Sequence, residues 1–266
     1  MSDIVVIVPI YKSELTKAEF ASLKQVLEVC KSRHIMFIHP KNLNLNYYEY
    51  IIKEFNNFII FKEFSDRYFS SIKEYNKLLI SNLIYLSIIK YKYMFLYQLD
   101  AWIFRDELTY WTKKGYDNVG APWFKGFTNP TFPETIIGAG NGGCCLRNIR
   151  SCVAILNSYK YIENPFKKFA ENRSIRNFIY SFFLGNNVNY RFNDFSGYED
   201  IFFAYIIPRL FKWFKNCPPE EAMKFSFEVC PSYLFKLNNN NLPMCCHAWE
   251  KYEPEFWKEF IDTSSV

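Results

Sequence analysis

The spacing of four short apolar runs constrains the fold of this chain more than any other feature. Ile4-Val5-Val6-Ile7-Val8 is a continuous β-branched run closed by Pro9, the pattern of a strand buried on both faces. Residues 34–38, 57–61 and 93–97 repeat its length and residue type, so each reads as a strand. Between them, 13–30, 47–55 and 71–90 read as helices. The first gathers Phe20, Leu23, Val26, Leu27 and Cys30 on one side, and the third has Ile72, Tyr75, Leu79, Leu83 and Leu86 as its inner stripe. Strand–helix alternation of this kind predicts a parallel α/β sheet.

The fourth run, Tyr93-Met94-Phe95-Leu96-Tyr97-Gln98-Leu99, ends at a lone carboxylate, Asp100. Open α/β sheets bind ligands outside the carboxyl ends of their strands. A carboxylate there needs a partner, because an unpaired buried charge costs several kcal/mol. A divalent cation carrying a phosphorylated ligand supplies one; a capping role, or pairing with a Lys or Arg, is the plainer alternative. Beyond Asp100 the pattern becomes irregular. Predicted elements are helices at 106–114 and 148–159, a glycine loop entering a strand over 136–147, and a helix at 201–214 interrupted or bent at Pro208. Strands are expected near 225–230 and 244–249. No linker divides the chain, which is read as one domain.

Composition narrows the class. Half of the 266 residues are apolar and a fifth aromatic, which excludes a disordered chain. A net charge of +5 admits anionic ligands but is too small to mark a nucleic-acid binder. The eight cysteines include two adjacent pairs and no C-x-x-C, which argues against zinc. A chain of this length does not need a disulfide framework. Scattered reduced thiols in a cytoplasmic protein are expected. The N-terminus lacks the basic start of a signal peptide. Residues 78–97 are interrupted by Ser81, Asn82, Ser87, Lys90 and Lys92, short of the roughly 20 apolar residues a span needs. Asn172-Arg173-Ser174 fits a glycosylation sequon, a match expected by chance in a chain this long.

Three further motifs could carry chemistry. Gly138-Ala139-Gly140-Asn141-Gly142-Gly143 formally satisfies G-x-G-x-x-G, but it lies mid-chain and leads into a strand, unlike a dinucleotide-binding turn. Its glycines either let a backbone approach a ligand or form a tight turn with none. Tyr198-Glu199-Asp200 places two acids where a loop enters a helix, either as helix-dipole partners or as a general base. His247, one of three histidines, is a candidate ligand or an ordinary core residue. Trp123 and Trp249 suit stacking on a sugar ring, or core packing.

In chain order these motifs resemble the common core of GT-A glycosyltransferases: D-x-D, a glycine loop, x-E-D and a C-terminal metal-binding His. Tyr97-Gln98-Leu99-Asp100-Ala101, Gly120-Ala121-Pro122-Trp123, Gly140-Asn141-Gly142-Gly143, Glu199-Asp200 and Cys246-His247-Ala248-Trp249 are similar to one family filed as a domain of unknown function. The resemblance covers roughly residues 4–257. It implies a GT-A fold, with a mixed central sheet flanked by helices, a nucleotide-binding half about 1–104 and an acceptor half about 105–266. It implies Asp100 and His247 as ligands of Mn²⁺ or Mg²⁺, and Asp200 as the base that deprotonates the acceptor, with Glu199 orienting either the acceptor or that base. Pro9, Ile10, Tyr11, Gln98 and Asp100 would meet the nucleotide-sugar donor. Trp123, Gly140, Asn141, Gly142, Gly143 and Trp249 would meet the glycan acceptor. Gln98 replaces the first acid of D-x-D and adds no charge, which puts strict cation dependence in question.

The expected activity is transfer of a sugar from a uridine-linked donor to a glycan hydroxyl, with inversion, in bacterial surface polysaccharide synthesis. A non-catalytic sugar- or nucleotide-binding protein on the same fold is the alternative. A nucleotidyltransferase is disfavoured, because no glycine-rich basic loop follows the first strand. Phe166-Lys167-Lys168-Phe169 and the segment 208–215 are basic and aromatic. They suggest either peripheral contact with an anionic leaflet, and a lipid-linked acceptor, or a solvated helix face.

Overall fold

A computed structural model describes residues 3–160, 166, 170, 173–183, 186–192, 195 and 197–263. Strands β1 (Ile4–Pro9), β2 (His34–Pro40), β3 (Phe58–Phe64) and β4 (Tyr93–Tyr97) lie parallel in the order β3-β2-β1-β4. After β5 (Ala101–Ile103), β6 (Asn118–Val119), β7 (Pro122–Phe124) and β8 (Ile136–Ala139), strand β9 (Cys144–Asn148) returns antiparallel to β4. β6 pairs antiparallel with β9 to complete a six-stranded mixed sheet. A three-stranded sheet joins β10 (Ser226–Phe227), β11 (Cys245–His247) and β5, and β7 pairs with β8.

The all-apolar first strand is explained by burial on both faces. Ile4, Val6 and Val8 pack with Leu23, Val26 and Leu27, which lie on helix α1 (Lys17–Val29). Val5 and Ile7 pack on the opposite layer with Leu78, Leu79 and Ile84. Each such side chain removed from water contributes about 1.5–3 kcal/mol. Helix α1 begins later than expected because Thr16 caps it: its hydroxyl accepts from Glu19 N–H, and the Glu19 carboxylate accepts from Thr16 N–H. Helix α2 (Asn46–Ile52) lies between β2 and β3.

The structure corrects four expectations. The single helix over 71–90 is two, α3 (Ile72–Leu79) and α4 (Asn82–Ser87). The Ser81 hydroxyl donates to the Leu78 carbonyl and competes with helix continuation at that point. Leu78, Leu79, Ile84, Tyr85 and Ile88 are buried, while Ile72, at the start of α3, and Leu83 and Leu86, beyond the break, are exposed. The helix over 201–214 is three pieces, with a π-helical turn at Phe202–Ile206 between Glu199–Ile201 and Ile207–Leu210. The strand over 225–230 shrinks to β10, because Pro219–Phe225 is helical. Finally, Cys144 and Cys245 are joined by a disulfide, leaving six free cysteines. With it goes the thiol argument for a reducing compartment.

No helix among the described residues is long and apolar enough to cross a membrane. In the 208–215 segment Phe211 and Phe214 point into the core and Trp213 is exposed, so its aromatic character is largely spent on packing. Lys167, Lys168, Phe169 and Asn172 lie outside the described residues.

Two features of this topology position a site. β2 and β4 flank β1 on opposite sides, so the chain reverses direction across the sheet at the carboxyl ends of β1 and β4, which opens a crevice there. The short sheet containing β5 and β11 then brings distant parts of the chain to its rim.

Candidate active site

A cleft of about 1120 Å³ opens at this point, lined by Pro9, Ile10 and Tyr11 after β1 and by Gln98, Leu99 and Asp100 after β4. Gln98 N–H donates to the Gly143 carbonyl (3.0 Å), and Ala101 N–H donates back to the Gln98 carbonyl (2.9 Å). This turn sends the chain into β5, which runs antiparallel to β11 with Ala101 opposite His247. Ala248 N–H donates to the Asp100 carbonyl at 2.9 Å. Asp100 and His247, 147 residues apart by 247 − 100, therefore meet through strand register. Asp100 Oδ1 stands 3.2 Å from His247 Nε2.

The other ring nitrogen, His247 Nδ1, lies 3.1 Å from Glu228 Oε1. Glu228 in turn accepts from Asn141 Nδ2 (2.6 Å), and Asn141 Oδ1 accepts from Gly143 N–H (3.1 Å). The imidazole is thus held between two carboxylates. Burial opposes its charged form, but the nearby carboxylates of Asp100 and Glu228 outweigh burial and push its pKa up to about 10. For Asp100, burial would raise the pKa, yet His247 and, more weakly, Lys12 hold it below the ordinary carboxylate value.

These residues fit a divalent cation. Buried Nε2 of His247 makes no hydrogen bond of acceptable geometry. Any side chain at Gly143 would collide with that end of the ring, so the glycine keeps the space open. Glu228 would accept from Nδ1–H, and a cation binding at Nε2 would displace the proton that the two carboxylates hold on the ring. Two ligands of one octahedral ion at about 2.1 Å lie about 3.0 Å apart, close to the observed separation of Asp100 and His247. No group of three or more His, Cys, Asp or Glu side chains among the described residues is arranged to hold a metal. Further ligands would have to come from water or a bound phosphate, a usual arrangement for Mg²⁺.

A second acidic cluster faces the first across the glycine loop. Glu199 is buried against the guanidinium of Arg147, itself fully buried. Arg147 also donates to Asn118 Oδ1 (3.2 Å) and lies over the Phe203 ring. Among the described residues the neighbouring Asp200 has no such cation, and its Oδ1 accepts from Ile201 N–H alone, at 2.7 Å. Burial first, then the charges of Glu199 and Glu228, raise its pKa to about 7. A side chain on Gly142 would strike Glu199. The glycine loop is therefore required for both clusters to approach one another.

Of the residues singled out in the sequence, Pro9, Ile10, Tyr11, Gln98, Asp100, Trp123, Asn141, Gly142, Gly143, Glu199, Asp200 and His247 line this one cleft. Two do not. Gly140 packs against Ala204 behind the loop, and Trp249 packs edge-on against Trp102, 6.1 Å between centroids. Sequence reasoning missed Glu228, whose signal was a lone acid inside the apolar run 225–230. It also missed Lys12 and Lys251, cations on the cleft wall that look like ordinary surface lysines. Lys12 is paired with Glu19 at 2.5 Å.

A family described as protein of unknown function (DUF5672) matches residues 58–247, a span that includes Asp100, the glycine loop, Glu199, Asp200, Glu228 and His247. Among solved structures, an active-site mutant of LgtC superposes with a TM-score of 0.53 at 12% identity, covering 96% of this chain and 94% of that one. The galactosyltransferase LgtC in complex with donor and acceptor sugar analogues gives 0.51 at 10%, covering 98% and 96%. Mouse xyloside xylosyltransferase 1 gives 0.51 at 11%, covering 91% and 96%. No curated protein sequence matches. The expected GT-A glycosyltransferase fold is the one found.

Proposed function

The chain belongs to the DUF5672 family, and on that premise we propose that it is a glycosyltransferase moving a sugar from a nucleotide-sugar donor, a uridine diphosphate sugar, to a hydroxyl of a glycan. The observation that carries this reading is the convergence of Asp100, His247 and Asp200 on one cleft at the switch point of a GT-A fold.

Each residue has a distinct task. Pro9, Ile10 and Tyr11 border the end of the cleft that would take the nucleotide. Lys12 and Lys251 add positive charge to the wall against which a diphosphate would lie. Asp100 and His247 are the residues that would hold Mn²⁺ or Mg²⁺, with Glu228 orienting the imidazole. A cation bound there would act as a Lewis acid for the negative charge that develops on the departing diphosphate. Asp200, with its pKa near 7, is matched to proton abstraction at neutral pH, a contribution of about 10²- to 10⁴-fold. It would take the acceptor hydroxyl proton as that oxygen attacks the anomeric carbon. The anomeric C–O bond to the diphosphate breaks with its electron pair, inverting the centre. Glu199 does not touch the acceptor in this scheme; locked to Arg147, it fixes the helix start that presents Asp200.

Calorimetric titration of UDP with and without Mn²⁺, against the wild type and Asp100→Ala, tests the donor site. Manganese-dependent binding that is lost in the variant supports the reading. Absence of UDP, GDP and CMP binding under all conditions would sink it.

A further inference from the structure

A second cavity, of about 520 Å³, lies beside the catalytic cleft and shares Trp123, Phe127 and Ile201 with it. Ile201 directly follows Asp200, so whatever fills this cavity is adjacent to the proposed base. Its walls are mostly rings and aliphatic side chains, and Phe127, Ile137 and Tyr205 each keep about half of their surface exposed (48%, 52% and 51%). Exposed apolar groups clustered around a cavity are the usual sign of a ligand surface.

One cation lines this cavity. Arg209 has no carboxylate partner among the described residues. Its guanidinium lies over the Tyr205 ring, 3.3 Å from the centroid, and Nη1 donates to the Tyr205 carbonyl at 2.7 Å. Stacking and this bond fix the plane of the fork and leave its other N–H groups to a ligand. The π-helical turn Phe202–Ile206 connects Asp200 to Arg209 and sets the face on which Tyr205 and Arg209 are shown; such turns are frequent at functional sites.

We propose that this cavity is an acceptor subsite for an acidic sugar, with the rings of Trp123, Phe127 and Tyr205 against its pyranose faces and Arg209 reading its carboxylate. The assignment rests on the transferase reading and adds the substrate class: a glycan carrying a uronic acid next to the hydroxyl that receives the new sugar. Rings suit the C–H faces of a pyranose. A planar guanidinium suits a planar carboxylate, which it can grip through two parallel hydrogen bonds.

Ligand-observed NMR on the full chain would compare methyl glucuronoside, methyl glucoside and glucose 6-phosphate for the wild type, Arg209→Ala, Arg209→Lys and Tyr205→Ala. UDP with Mn²⁺ would be titrated against the same preparations. Wild type should bind the glucuronoside at least tenfold more tightly than the glucoside. Arg209→Ala should abolish that preference, Arg209→Lys should keep only a fraction of it, and Tyr205→Ala should weaken both sugars. UDP binding should be unchanged in all three variants. Equal binding of acid and neutral sugar by the wild type, a preference that survives Arg209→Ala, or tighter binding of the phosphate would each overturn the subsite. Retained glucuronoside preference without binding of UDP, GDP or CMP would instead refute the transferase reading and leave the acidic-sugar site standing.

Discussion

Two acidic clusters face each other across the glycine loop, and they are built in opposite ways. Around His247 two carboxylates share one imidazole, and Asp100 keeps 51% of its side chain exposed to the cleft. Around Arg147 the charge is closed off: the guanidinium is fully buried and Glu199 is 6% exposed. A buried pair of that kind is weak support for stability as such but very costly to break. An open pair with an unsatisfied ring nitrogen is unfinished and suited to a ligand. The adjacent acids Glu199 and Asp200 divide along the same line, one neutralised as structure, the other left with a raised pKa.

Breaking the closed cluster should have the largest effect. Arg147→Met leaves Glu199 charged and buried, and should cost about 3–5 kcal/mol, read as a shift in the urea midpoint; a loss below about 1 kcal/mol would mean that Glu199 is not held as described. The open cluster is tied from outside by Cys144–Cys245, which links β9, at the end of the glycine loop, to the strand of His247. The bond closes a loop with a sequence separation of 101, and replacing both cysteines by Ser should cost about 2–4 kcal/mol. An unchanged melting temperature would argue that the bond does not form in solution.

Glu228→Gln sharpens the contrast, because it weakens the orientation of His247 without burying a new charge. Manganese affinity, measured by calorimetry in the presence of UDP, should fall about 10- to 100-fold with the melting temperature nearly unchanged. Full affinity would remove Glu228 from the site. The smallest energetic shift is the effect of Asp200 on folding stability. Its folded pKa of about 7 lies above the ordinary 3.8, so the folded state holds a proton that the unfolded chain has released. Asp200 therefore costs nothing below pH 3.8, and its cost grows as pH rises to about 7. Asp200→Asn should stabilise the fold by roughly 1–2 kcal/mol at pH 8 and much less at pH 4, while removing transfer. Wild-type transfer at low substrate should rise with pH through about 7. A flat profile, or near-normal transfer by the variant, would dismiss Asp200 as the base.

The parallel half was legible because its signals are local. A strand buried on both faces must be apolar throughout, so β1 stood out from Ile4 to Pro9, and Asp100 stood out as the charge that ends such a run. Legibility failed where short-range competition decides the outcome. The Ser81 hydroxyl interrupts what hydrophobic spacing alone joins into one helix, and the inner stripe inferred from that spacing put Ile72, Leu83 and Leu86 on the wrong face. Trp249 carried the same aromatic signal as Trp123, yet it packs on Trp102 while Trp123 lines the cleft. Composition cannot separate a stacking platform from a core residue.

The site divides the same way. Residue type made Asp100, Asp200, His247 and the glycines candidates, and their order along the chain, through the resemblance, singled them out. Partnership came from pairing register and chain reversal. Antiparallel β5 and β11 join Asp100 to His247, Glu228 reaches the imidazole from the end of a two-residue strand, Cys144 meets Cys245, and Arg147 selects Glu199 over Asp200. Which carboxylate is neutralised and which keeps a raised pKa depends on which one a buried guanidinium can reach. That distance exists only once the sheet has formed.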